Sequence, residues 1–361
     1  MTTLEISGPW SEAQRVWIET GLPTITIKTN SNTTWAKTGS VTVALQDSKS
    51  GLASGVSVKY GWSESLDTAP NNYTDVTPTY TAGTTSEVTF TASASRLTGK
   101  YYLWVVPTTL ADTAGNTQTT TAKSTGQFYF DNKGPSAPTI SGGSDTYATS
   151  RKISVSTVAT DEHVGTVSYY EYYKACDSTA PTASTSGTKV TTSDNSVTFA
   201  SNMAGYYVYF RGVDSLGNAG AWSSAARVYV DVNSPTVSAK NSSVTITAGD
   251  SVEMSSYFTT SANGNAAISS TVYKIGSTSY TNTSSLAAGT YTVICTVTKV
   301  GGKTASASMT LVVNSALPEE DTYLVSDSNR YRKLRNSVFH DSGWSNMRTC
   351  VWNDNGKFYD W

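Results

Sequence analysis

The chain has 361 residues, 14% of them charged, and a formal net charge of −2. Near neutrality without a basic cluster excludes the electrostatic footprint of a nucleic-acid binder or of a protein held on an anionic membrane. No apolar run reaches the ~18 residues of a membrane-spanning helix, so membrane insertion is not expected. Ser and Thr make up roughly three in ten residues. Thr, Tyr and Val favour strands and the charged helix formers are scarce, which together predict an all-β protein. Three cysteines, Cys176, Cys295 and Cys350, are scattered over different segments. An odd, dispersed set argues against a disulfide framework. Cys295 alternates with Tyr291, Val293 and Val297 as a reduced core residue would.

Residues 1–21 form an N-terminal arm with Trp10 and Trp17, and they lack the basic and apolar regions of a secretory signal. From 22 to 133 the sequence predicts strands over Thr24–Lys28, Val41–Gln46, Val56–Ser63, Val88–Thr91, Tyr101–Val106 and Gly126–Asp131. Turn-rich segments separate them, the spacing of a β-sandwich. Residues 134–232 follow the same order. Ile153–Val158 parallels Val41–Gln46, Val167–Lys174 parallels Val56–Ser63, and Val197–Phe199 parallels Val88–Phe90. Gly99 to Trp104, the turn Asp112-Thr113-Ala114-Gly115-Asn116 and the strand ending at Asp131 reappear as Gly205 to Phe210, Asp214-Ser215-Leu216-Gly217-Asn218 and the strand ending at Asp231. Asp131 and Asp231, like Pro135 and Pro235, lie one hundred residues apart, so the repeating unit is a whole domain. Residues 233–315 are a diverged third copy, with Gly301-Gly302-Lys303 where the other two carry the Asp-x-x-Gly-Asn turn. An acidic linker at Glu319, Glu320 and Asp321 opens the last segment, 316–361, which is aromatic and basic. That segment is too short for a core of its own.

The Gly-x-Tyr strand, the Asp-x-x-Gly-Asn turn and the closing strand before a proline-bearing linker resemble bacterial Ig-like and fibronectin-III-like repeats. Such repeats occur in surface proteins, adhesins, multidomain glycoside hydrolases and phage tail proteins. The resemblance covers residues 22–314 and implies three tandem Ig-like β-sandwiches in an elongated array. It implies spacer, adhesive or display roles, and this fold by itself fixes none of them. The expected function is therefore a non-catalytic extracellular surface or adhesive stalk for a protein or glycan ligand. The alternatives are a phage virion tail or capsid fibre or decoration protein, and accessory modules of a larger carbohydrate-active enzyme. The location follows: cell surface, or virion.

Candidate chemistry is sparse. Structural Ca²⁺ at the domain junctions would draw on Asp131, Asn132, Asp231 and Asn233, which precede prolines. One carboxylate and one amide fall short of the about six to eight oxygens the ion takes, unless a loop such as Asp161-Glu162 helps. In the Asp-x-x-Gly-Asn turns, Asp112 and Asp214 are read first as acceptors of their own backbone. No other cofactor is expected. Catalysis has only His163 and His340, in different segments, with Cys350 near the second. An intramolecular Lys–Asn crosslink would use Lys59.

The aromatic surplus points to binding. Strand alternation puts Tyr206, Val208 and Phe210 on the core face and Tyr207, Tyr209 and Arg211 outside. Two of the tyrosines at 169, 170, 172 and 173 would share that outer face, with Tyr170 and Tyr172 taken as the pair. A tyrosine-paved sheet suits sugar stacking or a protein contact. Trp344, Trp352, Tyr359 and Trp361 form a second aromatic set, suited to a ligand or to self-association through the C-terminal segment.

Overall fold

The structure, a computed structural model, describes residues 14–316 along with Gly8 and Glu12. Beyond 316 it describes four short strands, Thr322–Asp327, Arg330–Arg335, Val351–Trp352 and Phe358–Tyr359. The chain divides into two compact units. The first holds residues up to Ser234 and two later turns, Asn263–Ala267 and Lys299–Lys303; the second holds the remainder.

Within the first unit, residues 24–130 form two mainly antiparallel layers around one core. Strands Thr24–Ile27, Thr38–Gln46 and Val88–Ser95 make a three-stranded sheet. The facing sheet is centred on the long strand Gly99–Ala111, which pairs with Ser57–Ser63 on one side and Phe128–Phe130 on the other. Val43, Leu45, Val58, Leu103 and Val105 fill the interior, each fully buried. A strand over Asn32–Ala36, absent from the expectations, pairs parallel with Phe128–Phe130.

Residues 139–230 repeat the plan. Thr139–Ser141, Arg151–Thr157 and Ser196–Phe199 form one sheet. Thr188–Lys189, Val167–Ala175, Met203–Asp214 and Ala226–Val230 form the other, in that spatial order. Ile153, Val208, Phe210, Val228 and Val230 are fully buried between them. Along Ala226–Val230 buried and half-buried positions alternate, so the hydrophobic pattern also fixes the register there.

The first unit passes from one sandwich to the next through Asp131–Pro135. Gly134 lies so close to the following turn that a Cβ on it would stand 2.3 Å from the Ala219 carbonyl oxygen. Only glycine fits that approach.

The second unit has its own core of Met254, Val293, Cys295, Val297 and Leu311. Gly289–Lys299 and Thr304–Asn314 form its central antiparallel pair, and Ser243–Thr247 runs parallel to the latter. Cys295 is buried, as its alternation predicts, and burial pushes its thiol pKa up.

Candidate functional site

Each Asp-x-x-Gly-Asn turn is closed by two backbone bonds. The Asp112 N–H donates to Asn116 O at 3.0 Å and the Gly115 N–H to Asp112 O at 3.3 Å. Asp214 and Asn218 repeat this at 3.1 Å, with Gly217 to Asp214 at 3.2 Å. Gly115 and Gly217 take φ of 92° and 80°, the left-handed region that requires glycine at this position. The side chains add to the closure. Asp214 Oδ1 accepts the N–H groups of Leu216 and Asn218, each at 2.8 Å, and its Oδ2 accepts Asn218 Nδ2 at 2.8 Å. Asp112 is held the same way by Asn116. Burial pushes the Asp112 carboxyl up, but the Asn116 hydrogen bonds outweigh it and hold the pKa below the ordinary range. The backbone role expected of these aspartates is the one they play.

Their asparagines reach further. Asn218 Nδ2 also donates to the carbonyl of Asp131 at 3.0 Å, and Asn116 Nδ2 to the carbonyl of Glu19 at 3.1 Å. Each turn therefore clamps the residue that leads into its own sandwich. Nothing in the sequence marks this, because the two partners are 87 and 97 residues apart.

The linker acid Asp131 is fully buried. Its Oδ1 accepts the Lys133 N–H at 3.0 Å, while Oδ2 has no hydrogen-bond partner. Carboxylate oxygens of Asp131, Asp161 and Asp214 all lie within 4.8 Å of one another. Burial, reinforced by the charges of Asp161 and Asp214, raises the Asp131 pKa against the opposing pull of the Lys133 N–H. Asn132, expected as a co-ligand, is turned away: its Nδ2 donates to Lys37 O and Leu97 O, both at 2.8 Å.

The pair expected at the second junction, Asp231 and Asn233, is committed elsewhere. Asp231 Oδ2 accepts Lys299 Nζ at 2.7 Å and the Ala266 N–H at 2.7 Å. Its Oδ1 accepts the Asn233 N–H at 2.9 Å, and the Asn233 carbonyl also accepts Lys299 Nζ, at 3.2 Å. An ammonium already balances this carboxylate, so these two residues do not form a cation site. Burial raises the Asp231 pKa, but Lys299 and the two N–H groups outweigh it and leave it lowered.

The tyrosine face differs from its expectation. Tyr170 is buried in the core and its hydroxyl accepts the Ala159 N–H at 2.9 Å. Tyr172 packs against the same core beside Phe199 and Phe210. Both face inward because the register places Tyr172 opposite Phe210 and Tyr173 opposite Tyr209. A bulge between Val167 and Tyr169 precedes them. Tyr209 does leave the core face, but it is only 3% exposed. The loop after Cys176 comes over it: Tyr209 Oη reaches Ser178 O, and Trp222 Nε1 donates to Thr182 O at 2.9 Å. Arg211, also expected outside, is buried there. Its Nε and Nη2 donate to Glu171 Oε2 at 2.9 and 2.8 Å and its Nη1 to Ala183 O at 2.9 Å, while the guanidinium stacks 4.4 Å from the Trp222 ring. Tyr207 leaves the core face and stays half-buried, with Arg227 4.2 Å from its ring. Beside this lid lies an open groove of about 750 Å³, walled by Pro135, His163, Pro181 and Trp222 among others.

His163 stacks on Trp35, ring centroids 4.7 Å apart. Lys59 is half-buried with its ammonium 4.6 Å from the Tyr73 ring, and Asp75 is its cross-strand partner. Trp10, His340, Trp344, Cys350 and Trp361 lie outside the described residues. Trp352 and Tyr359 fall in two short strands, where Trp352 pairs with Phe358 and Tyr359 with Val351.

The paired layers, repeated with their own cores, define a series of β-sandwiches, the architecture implied by the resemblance to Ig-like and fibronectin-III-like repeats. No family model and no curated protein matches the sequence. Among solved structures, the chain is similar to the fibronectin(III)-like modules of Clostridium thermocellum CbhA, with 16% identity and a TM-score of 0.27 over 49% of this chain and 94% of that one. It is similar to the FN1–FN3 domains of chicken CNTN1, with 12% identity and a TM-score of 0.24 over 81% and 100%. A third is a Ca²⁺-stabilized adhesin that helps an Antarctic bacterium bind ice, with 16% identity and a TM-score of 0.37 over 86% and 78%. At these identities and TM-scores the likeness transfers no function.

Proposed function

We propose that the chain is a non-catalytic surface or adhesive stalk, a series of sandwiches that displays or contacts a protein or glycan ligand. The repeated clamp carries this reading. Asn116 holds the carbonyl of Glu19 and Asn218 that of Asp131, so the entry to each of the first two sandwiches is tied to its own turn. A spacer needs such fixed entries, because a free linker would let successive modules swing. Ligand contact on the second sandwich falls to Tyr207 and the groove beside Trp222, since Tyr170 and Tyr209 are buried and Tyr172 packs inward against the core. The test is binding of the whole chain to glycan arrays and to cells, in parallel with Tyr207→Ser. Binding that weakens in the variant supports the adhesive role. Complete absence of binding by the whole chain leaves only the spacer.

A virion fibre or decoration protein is the second reading, and the N-terminal arm favours it. Val16, Trp17 and Ile18 are 80%, 85% and 84% exposed, an apolar run suited to docking. Mass in solution separates the two: a trimer supports the fibre and a monomer the stalk.

A further inference from the structure

The turn at Lys299 follows the same bonding as the two Asp-x-x-Gly-Asn turns. The Lys299 N–H donates to Lys303 O at 2.9 Å and the Gly302 N–H to Lys299 O at 2.9 Å, with Gly302 at φ 91°. Lys299 thus holds the position of Asp214 and Asp112 with the opposite charge. The acids at the two junctions also correspond. Asp131 and Asp231 each accept, on Oδ1, the N–H of the residue two further on. They part at Oδ2. For Asp231 that oxygen faces the buried ammonium of Lys299. For Asp131 it is buried without a hydrogen-bond partner, and carboxylate oxygens of Asp161 and Asp214 lie within 4.8 Å of an oxygen of the same carboxyl. Before the first sandwich the acid is Glu19, and it too has a lysine, with Lys49 Nζ 3.5 Å from its Oε2.

The basic side chains near Asp131 are committed elsewhere. Lys133 Nζ pairs with Glu162 at 2.8 Å, Lys37 Nζ donates to Gly217 O at 3.0 Å, and the His163 ring lies on Trp35. A buried carboxylate without a partner carries a large desolvation cost, and two more carboxylates beside it add repulsion. A cation placed where Lys299 Nζ stands at the other junction answers both.

We propose that Asp131, Asp161 and Asp214 form a Ca²⁺ site. All the donors are carboxylate oxygens, which select a hard cation over zinc or copper. Their spread, within 4.8 Å, fits two oxygens about 5 Å apart across one Ca²⁺. The three carboxylates supply three to six of the about six to eight oxygens that Ca²⁺ takes, and water enters from the side of half-buried Asp161. The remaining bonds orient the ligands, as an outer shell should: Asp161 Oδ1 accepts the N–H groups of His163 and Val164 at 2.9 and 2.8 Å, and Asn218 holds Asp214. The ion would join the linker acid to two loops of the sandwich it leads into.

The experiment is calorimetric titration of the full chain, stripped with EDTA, with CaCl₂ and separately with MgCl₂, alongside thermal melts with and without CaCl₂. The expected result is one Ca²⁺ site, preferred over Mg²⁺, with a higher melting temperature in CaCl₂. Asp131→Asn and Asp161→Asn should each weaken Ca²⁺ binding at least about tenfold, since affinity follows ligand charge. Asp161→Asn keeps the oxygen that its own loop bonds, so it decides the matter if Asp131→Asn fails to fold. Absence of both heat and thermal shift in the stripped parent, or unchanged affinity in Asp161→Asn, would overturn the site.

Discussion

Lys299 and Asp214 occupy one position in two turns closed by the same backbone bonds, and their charges are opposite. The exchange changes what a junction acid needs. Asp231 has an internal counter-ion with both side chains 1% exposed, whereas Asp131 makes no ion pair among the described residues and has the carboxylates of Asp161 and Asp214 close by.

Lys299→Met should therefore destabilise the fold by about 3–5 kcal/mol, because it leaves a buried charge unpaired. Adding Asp231→Asn should recover part of that loss. Urea unfolding of both variants measures this, and equal stability of the single variant and the parent would contradict it.

Acid should act through the lowered carboxyls of Asp112 and Asp231. A carboxyl with a depressed folded pKa contributes stability that is complete above its unfolded value of about 3.9 and is lost as pH falls through the folded value. Melting temperature should hold from neutral pH down to about 4 and then drop. In Asp231→Asn the drop should be shallower, which a melt series over pH resolves.

Tyr207 and Tyr209 should separate in a serine scan. Tyr209→Ser opens a space under the 176–187 loop and should cost about 3–5 kcal/mol. Tyr207→Ser, on a half-open ring, should cost about 1 kcal/mol or less. Denaturation midpoints give both values, and any binding loss in the Tyr207 variant is then free of a folding defect.

Asn218→Ala should remove a donor from two buried acceptors at once, Asp131 O and Asp214 Oδ2, and cost about 2–3 kcal/mol. Asn116→Ala should cost less, since its acceptor Glu19 is more open to water. Amide exchange at Lys133 would report whether the linker loosens along with the turn.

Thr38–Gln46 was legible because alternating Val and Thr mark a half-buried surface, and Val167–Ala175 because it is rich in strand-favouring Val and Tyr. Asn32–Ala36 was not: Asn-Thr-Thr carries no apolar period, and its partner Phe128–Phe130 lies far along the chain. Tyrosines at 169, 170, 172 and 173 gave no alternation to read, so the inward set, Tyr170 and Tyr172, was taken for the outward one. Tyr209 and Arg211 were assigned to the correct face, but the Ser/Thr-rich loop that covers them resembles any other surface loop in sequence. Asp131 could be picked out from its place before a proline, whereas its company with Asp161 and Asp214 comes from packing alone.

The parallel pairing of Ser243–Thr247 with Thr310–Asn314 has a mechanical consequence. These are the segments near the entry and exit of the third core, lying side by side in the same direction. Tension drawn along the chain would pull them oppositely and load all their hydrogen bonds in shear together, so none can open first. Asn32–Ala36 against Phe128–Phe130 gives the first core the same arrangement. Under load, those parallel ladders are where resistance to unravelling would reside.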